Sequence, residues 1–95
     1  MVSFVVIAHN EAANIELALR SILAQNVDSE IIVIDDGSRD RTARVVEQVA
    51  MDNPAVRLVR LGWNRGRGFA RQTGIELARG PFIATVDGDV VLPSQ

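Results

Sequence analysis

The 95 residues, 47% of them apolar, make one small domain or a piece of a larger one, with enough hydrophobic material for a core, which excludes a disordered tail. A formal net charge of −2 leaves no excess of cations for general nucleic-acid binding, so nucleic acid is not an expected partner. Cysteine is absent and all ten cations are arginine, which excludes a disulfide framework, thiolate chemistry, a lysine nucleophile and a Walker-type lysine.

Val2 to Ala8 is a near-continuous apolar run rich in β-branched residues, and it predicts a strand buried on both faces of a parallel sheet. No apolar stretch approaches the length of a membrane span, and Met1 leads straight into this strand without a signal-peptide pattern, so a cytoplasmic location is expected. Asn10 is placed to cap the helix that follows. Ile15, Ala18, Leu19, Ile22 and Leu23 form one helical stripe ending near Gln25. Glu30 to Asp35 predicts a second buried strand, broken by Asp36-Gly37-Ser38. In this turn Gly37 is expected at positive φ, with Ser38 or Asp40 capping the next helix.

Thr42, Val45, Val46 and Val49 mark that second helix, which closes before Asn53-Pro54. Val56 to Leu61 predicts a third strand, and Arg57 and Arg60 within it suit a sheet edge. Gly62 to Gly68 is a glycine-rich loop under which Trp63 is expected to pack. Ala70, Thr73, Gly74, Leu77 and Ala78 give a third helical stripe, stopped by Gly80-Pro81. Phe82 to Val86 predicts the fourth strand. The alternation β-α-β-α-β-α-β defines an α/β class, a doubly wound parallel sheet.

If the third strand is an edge, the strands take the order 3-2-1-4. Right-handed crossovers then put helices one and two on one face and helix three on the other. Winding reverses between strands one and four, and open α/β sheets bind ligands at such a switch point, beyond the carboxyl ends of the strands. Three polar sets converge there: His9-Asn10-Glu11, Asp35-Asp36 and Asp87-Asp89.

Asp87-Gly88-Asp89 closes an apolar strand with two hard carboxylates, which suits a divalent cation that keeps its waters and borrows ligands from a diphosphate. Alone, Asp-Gly is ordinary turn chemistry. Asp36 can accept hydrogen bonds from a base or ribose, or it can serve the turn. Asn64-Arg65-Gly66-Arg67-Gly68 leads into a helix N-terminus, where backbone N–H groups and arginine suit phosphate. Arg71 stands where a dinucleotide fingerprint needs its third glycine, so a nicotinamide site is disfavoured. His9, the sole histidine, reads as a polar wall of the pocket rather than a base.

Phe4 through Glu11 and Glu30 through Thr42 resemble the opening of the family 2 glycosyltransferases. Asn64 through Gly74 and Asp87-Gly88-Asp89 continue that resemblance in order, so it spans nearly the whole chain. The branch it resembles is that of the dolichyl-phosphate-mannose-synthase-like or polyprenyl-glycosyl enzymes. The resemblance implies a GT-A fold, a UDP-, GDP- or dTDP-sugar donor, a Mn²⁺ or Mg²⁺ ion and inversion at the anomeric carbon. By position it puts Ile7, Ala8, His9 and Glu11 at the nucleoside, and Asp36 at base or ribose. Arg67 falls near the phosphates, Asp87 and Asp89 serve ribose and metal, and Asn64 and Gly88 belong to the nucleotide-sugar site.

Three residues depart from the family pattern: Ile7 replaces a usual proline, His9 a usual tyrosine and Arg67 a frequent lysine. Members of the family continue past this metal motif into strands that bind the acceptor and supply the general base. The chain is therefore expected to be a donor-binding, N-terminal half of such an enzyme, inactive alone, with its base downstream and a lipid-linked or polysaccharide acceptor. Missing C-terminal regions would hold it at the cytoplasmic face of a membrane. Strand four would lack an outer neighbour, so the fragment is expected to self-associate. A noncatalytic nucleotide-binding or interaction module of the same fold is the alternative from another class. A nucleotidyltransferase is a third reading, weakened because Ala8-His9-Asn10-Glu11 puts no glycine in the turn after strand one.

Overall fold

Four apolar segments pair side by side because each buries its backbone polar groups only by hydrogen bonding to a neighbour. The computed structural model describes residues 1–94. Its strands are β1 (Val2–Ala8), β2 (Ser29–Asp35), β3 (Val56–Arg60) and β4 (Phe82–Asp87), all parallel and in the order β3-β2-β1-β4. That is the order expected from the sequence. Val6 of the central strand lies between Val33 of β2 and Val86 of β4, and Ala8 pairs with Asp35, so the strands end level with one another.

Alternate residues of the strands feed two separate cores. Phe4, Val6, Ala8, Ile31 and Val33 pack with α1 (Ile15–Leu23) and α2 (Thr42–Asp52) through Ile15, Leu19, Ile22, Val46 and Val49. On the opposite face Val5, Ile7, Ile32 and Ile34 meet α3 (Arg67–Leu77) through Ala70. The helix distribution is the expected one. Among the described residues no helix is long and apolar enough to cross a membrane.

The two edges differ. β3 carries Arg57 and Arg60, both exposed, while β4 exposes Phe82 at 69% and Ile83 at 43%. One charged edge and one apolar edge follow directly from the residues on them.

Two helix starts depart from the sequence reading. Asn10 does not cap α1; it takes φ 54, its N–H donates to Ser38 Oγ, and its Oδ1 accepts from the Arg39 N–H at 2.8 Å. The chain makes a turn between Glu11 and Asn14 first, and the helix begins at Ile15. For α2 the N-cap position is Arg41, without a side-chain cap; of the two caps considered, Asp40 lies one residue outside it and accepts from the Thr42 N–H at 2.9 Å, while Ser38 is spent on Asn10.

Candidate functional site

The loops after β1, β2 and β3 are tied together by Asp36, which is 98% buried by its 2% exposure. Its N–H donates to the Ala8 carbonyl at 2.8 Å, continuing the β1–β2 ladder by one step. Its carboxylate accepts from the backbone N–H groups of Arg65 at 2.7 Å and Gly66 at 3.1 Å. Its carbonyl accepts from His9 Nδ1 at 2.7 Å. One side chain thus clamps the glycine-rich loop onto the end of β2.

Gly37 makes that clamp possible. It sits at φ +69, and a Cβ there would lie 2.3 Å from the Asn64 backbone nitrogen and 2.4 Å from the Trp63 carbonyl carbon. The loop backbone occupies the space a side chain would need, as the sequence reading of Gly37 required.

His9 has a defined protonation pattern. Its Nδ1–H donates to Asp36, and its Nε2 receives the side-chain amides of Asn10 and Asn64, each at 3.3 Å. Neither amide can turn round, because Asn10 Oδ1 accepts from Arg39 and Asn64 Oδ1 accepts from Gly66 at 2.9 Å. The network therefore selects the neutral Nδ1–H tautomer. His9 is a strut between loops, which fits the expected wall and leaves it no spare lone pair for acid–base work.

A cleft of about 320 Å³ opens beyond the strand ends at the β1–β4 switch point. Its lining includes Ile7, His9, Glu11, Asp36, Asn64, Arg67 and Asp87, all singled out from the sequence, together with Gly66. Two other expected residues lie beneath it. Ala8 is fully buried, and Gly88 donates its N–H to the Ile7 carbonyl at 2.9 Å. A Cβ on Gly88 would stand 3.2 Å from both Ile15 Cδ1 and that carbonyl, so a side chain there would require its neighbours to give by a few tenths of an ångström. Asp89 is exposed outside the cleft lining, with no hydrogen bond or ion pair among the described residues.

Arg67 opens α3 and pairs with Asp87, Nη2 to Oδ1 at 2.5 Å, with side chains 69% and 39% exposed. A second hollow of about 290 Å³ shares Ile7, Arg67 and Asp87 and adds Arg71. The sequence reading treated Arg71 only as a missing glycine. The signal for its place beside Arg67 is the spacing, since residues four apart on a helix share a face. Trp63 also departs from expectation. It is 61% exposed rather than tucked beneath the loop, and the Arg65 guanidinium covers its ring at 4.3 Å. Its backbone, not its ring, fills the space at Gly37.

Asp35 is used structurally: Oδ1 accepts from the Ser38 N–H at 3.1 Å, and Oδ2 faces Arg60. The Thr42 hydroxyl, helped by the N–H groups of Thr42 and Ala12, holds the Asp40 carboxyl below the usual aspartate range. Among the described residues no three His, Cys, Asp or Glu side chains cluster as a closed metal cage. Two carboxylates at a strand end, one free and one half-exposed, fit a cation that completes its shell with water and phosphate oxygens.

This sheet order with its acid-lined switch-point cleft is the GT-A plan of the glycosyltransferases. A solved mannosyltransferase, PcManGT from Pyrobaculum calidifontis in complex with GDP-Man and Mn²⁺, superposes with a TM-score of 0.92 at 31% identity, covering 98% of this chain and 28% of that one. The sequence matches the family described as "Glycosyl transferase family 2" over residues 3–95, and the chain belongs to that family. It is 48% identical over 89 residues to the succinoglycan biosynthesis protein ExoO of Rhizobium meliloti, covering 93% of the chain and 25% of that protein. It is 38% identical over 96 residues to the dolichyl-phosphate beta-glucosyltransferase ALG5C of Trichomonas vaginalis, covering 92% of the chain and 28% of that protein. The chain therefore spans between a quarter and three-tenths of the length of these relatives.

Proposed function

We propose that the chain is the donor-binding part of an inverting glycosyltransferase, taking a nucleotide-diphosphate sugar together with Mn²⁺ or Mg²⁺. The observation that carries this reading is the convergence of Asp36 from the end of β2, Arg67 from the start of α3 and Asp87 from the end of β4 on one cleft of about 320 Å³. The structural likeness to a protein solved with GDP-Man and Mn²⁺ supports it.

Each residue has work it can do there. The Asp36 carboxylate spends two of its acceptor positions on Arg65 and Gly66, leaving others for a base or ribose N–H or O–H. Arg67 and the first N–H groups of α3 attract the diphosphate. Asp87 and Asp89 hold the cation, whose charge when bound offsets that of the departing nucleoside diphosphate. Neutral His9 and Asn64 hold the wall.

His9 is committed at both nitrogens and is not free to deprotonate an acceptor hydroxyl, while Glu11 accepts from Asn14 at 3.2 Å through Oε1 alone. The base and the acceptor, a lipid phosphate or polysaccharide, belong to the rest of a longer enzyme working at the cytoplasmic face of a membrane. The 95-residue chain should be silent in transfer assays and should self-associate through the apolar β4 edge.

Calorimetry of UDP-, GDP- and dTDP-sugars with and without Mn²⁺ tests the reading, with metal-dependent binding of one donor class expected. Asp89→Ala should abolish that metal dependence and leave stability within about 0.5 kcal/mol, because the side chain is exposed and makes no hydrogen bond or ion pair among the described residues. Unchanged metal-dependent binding in the variant would remove Asp89 from the site.

A further inference from the structure

We propose that Arg67 gates Asp87, so that cation and nucleotide diphosphate bind with positive coupling rather than independently; this rests on the donor-site reading above. The guanidinium that the cleft offers to a diphosphate is already paired to the carboxylate that it offers to a metal, Nη2 to Oδ1 at 2.5 Å. One ion pair therefore joins the two binding functions.

A divalent ion arriving alone meets Asp87 with a guanidinium across its Oδ1. Of the two motif carboxylates Asp89 then remains as the one with no partner among the described residues, too little to hold an ion that wants six or more oxygens. A diphosphate changes the balance by giving Arg67 a better anionic partner, since arginine pairs bidentately with phosphate. Withdrawal of Arg67 frees Asp87 at the moment when phosphate oxygens become available as further ligands. Coupling is reciprocal: whatever factor the nucleotide adds to cation affinity, the cation adds to nucleotide affinity.

Arg67 can make this move because its side chain is 69% exposed and Asp87 is its one ion-pair partner among the described residues. Exposure also bounds the effect. A solvent-exposed pair is weak, so opening it should change cation affinity by about two- to fivefold. Arg71 provides the contrast, since it lines the adjoining hollow one helical turn away and has no ion pair among the described residues.

The test is titration of the 95-residue chain with Mn²⁺ and no nucleotide, following the free ion by electron paramagnetic resonance. Arg67→Gln should bind Mn²⁺ about two- to fivefold more tightly than wild type. Arg71→Gln removes the same charge but keeps the ion pair, and should give less than half that gain. Adding Asp87→Asn to Arg67→Gln should cancel it. In titrations with UDP and with GDP, Arg67→Gln should also shrink the factor by which Mn²⁺ improves nucleotide affinity. Equal Mn²⁺ affinity in wild type and Arg67→Gln, including no binding by either, overturns the gate. So does an equal gain in Arg71→Gln, which would make the effect one of overall charge. The donor-site reading fails by a different result, the absence of Mn²⁺-dependent binding of any nucleotide sugar to wild type.

Discussion

The two ends of the sheet use their polar groups in opposite ways. At the amino end Ser3, wholly buried, donates its hydroxyl to Glu30 Oε2 at 2.6 Å and accepts from the Gly80 N–H at 2.8 Å. Glu30 also accepts from the Arg79 N–H at 2.6 Å and faces the Arg79 guanidinium. That network is closed, and it fastens β1, β2 and the α3–β4 connection together. At the carboxyl end Asp36 and His9 fasten three loops by the same means, but the network is left open: Asp89 and Arg71 are unpaired among the described residues. The lesson is that satisfied buried polar groups supply rigidity, while the unsatisfied ones beside them are exposed, where leaving them open costs little. A site needs both kinds in contact.

The sharpest way to break the open end is Gly37→Ala. Positive φ and the backbone of Trp63 and Asn64 both forbid the new methyl group. A cost of roughly 2–5 kcal/mol is expected, the sum of left-handed strain and overpacking. Urea unfolding measures it, and nucleotide affinity should fall with it as the glycine-rich loop is pushed away. An unchanged midpoint would mean that the loop gives way freely. Asp36→Asn is the next largest. The amide keeps the shape but presents donors to the N–H groups of Arg65 or Gly66, so nucleotide binding should weaken by roughly 1–3 kcal/mol. Hydrogen exchange at Arg65 and Gly66 separates the two duties of the carboxylate. Weakened binding with unchanged exchange assigns Asp36 to the ligand alone, and faster exchange with unchanged affinity assigns it to the loop alone.

The sequence displayed the strands because parallel strands buried on both faces read as continuous apolar runs, and it displayed the β3 edge because Arg57 and Arg60 tolerate burial there poorly. Motif positions gave most of the cleft for a related reason, since in a parallel sheet every ligand-facing loop directly follows a strand. What stayed hidden depends on partners far away in the chain. Asn10 looks like a helix cap until Arg39, 29 residues on, takes its side-chain oxygen. Asp36 looks like a free ligand group until Arg65, also 29 residues on, is found on its carboxylate. Trp63 reads as packed under the glycine loop, whereas its ring is exposed and covered by the Arg65 guanidinium. Local patterns reveal what a residue prefers, and distant contacts decide which preference is used.

The smallest expected effect compares the two ends by acid. Burial of Glu30 raises its pKa, but the Ser3 hydroxyl, the Arg79 N–H and the charges of Arg79 and Arg57 outweigh it and leave the carboxyl below its ordinary value of 4.5. A carboxyl lowered by folding contributes stability that is fully present above the unfolded pKa and disappears as pH falls through the folded one. The amino-end network should therefore begin to weaken as pH drops below about 4.5. Asp40 at the carboxyl end follows the same sign, lowered chiefly by the Thr42 hydroxyl from 3.8, so its contribution should persist to lower pH. Asp40 is exposed, and solvent screening should make its share the smaller. Urea unfolding between pH 7 and pH 3 distinguishes them: Glu30→Gln keeps an acceptor for Ser3 but removes the charge, and should flatten the acid dependence more than Asp40→Asn does. A larger flattening from Asp40→Asn would mean that the open end, not the closed one, carries the acid-sensitive part of the fold.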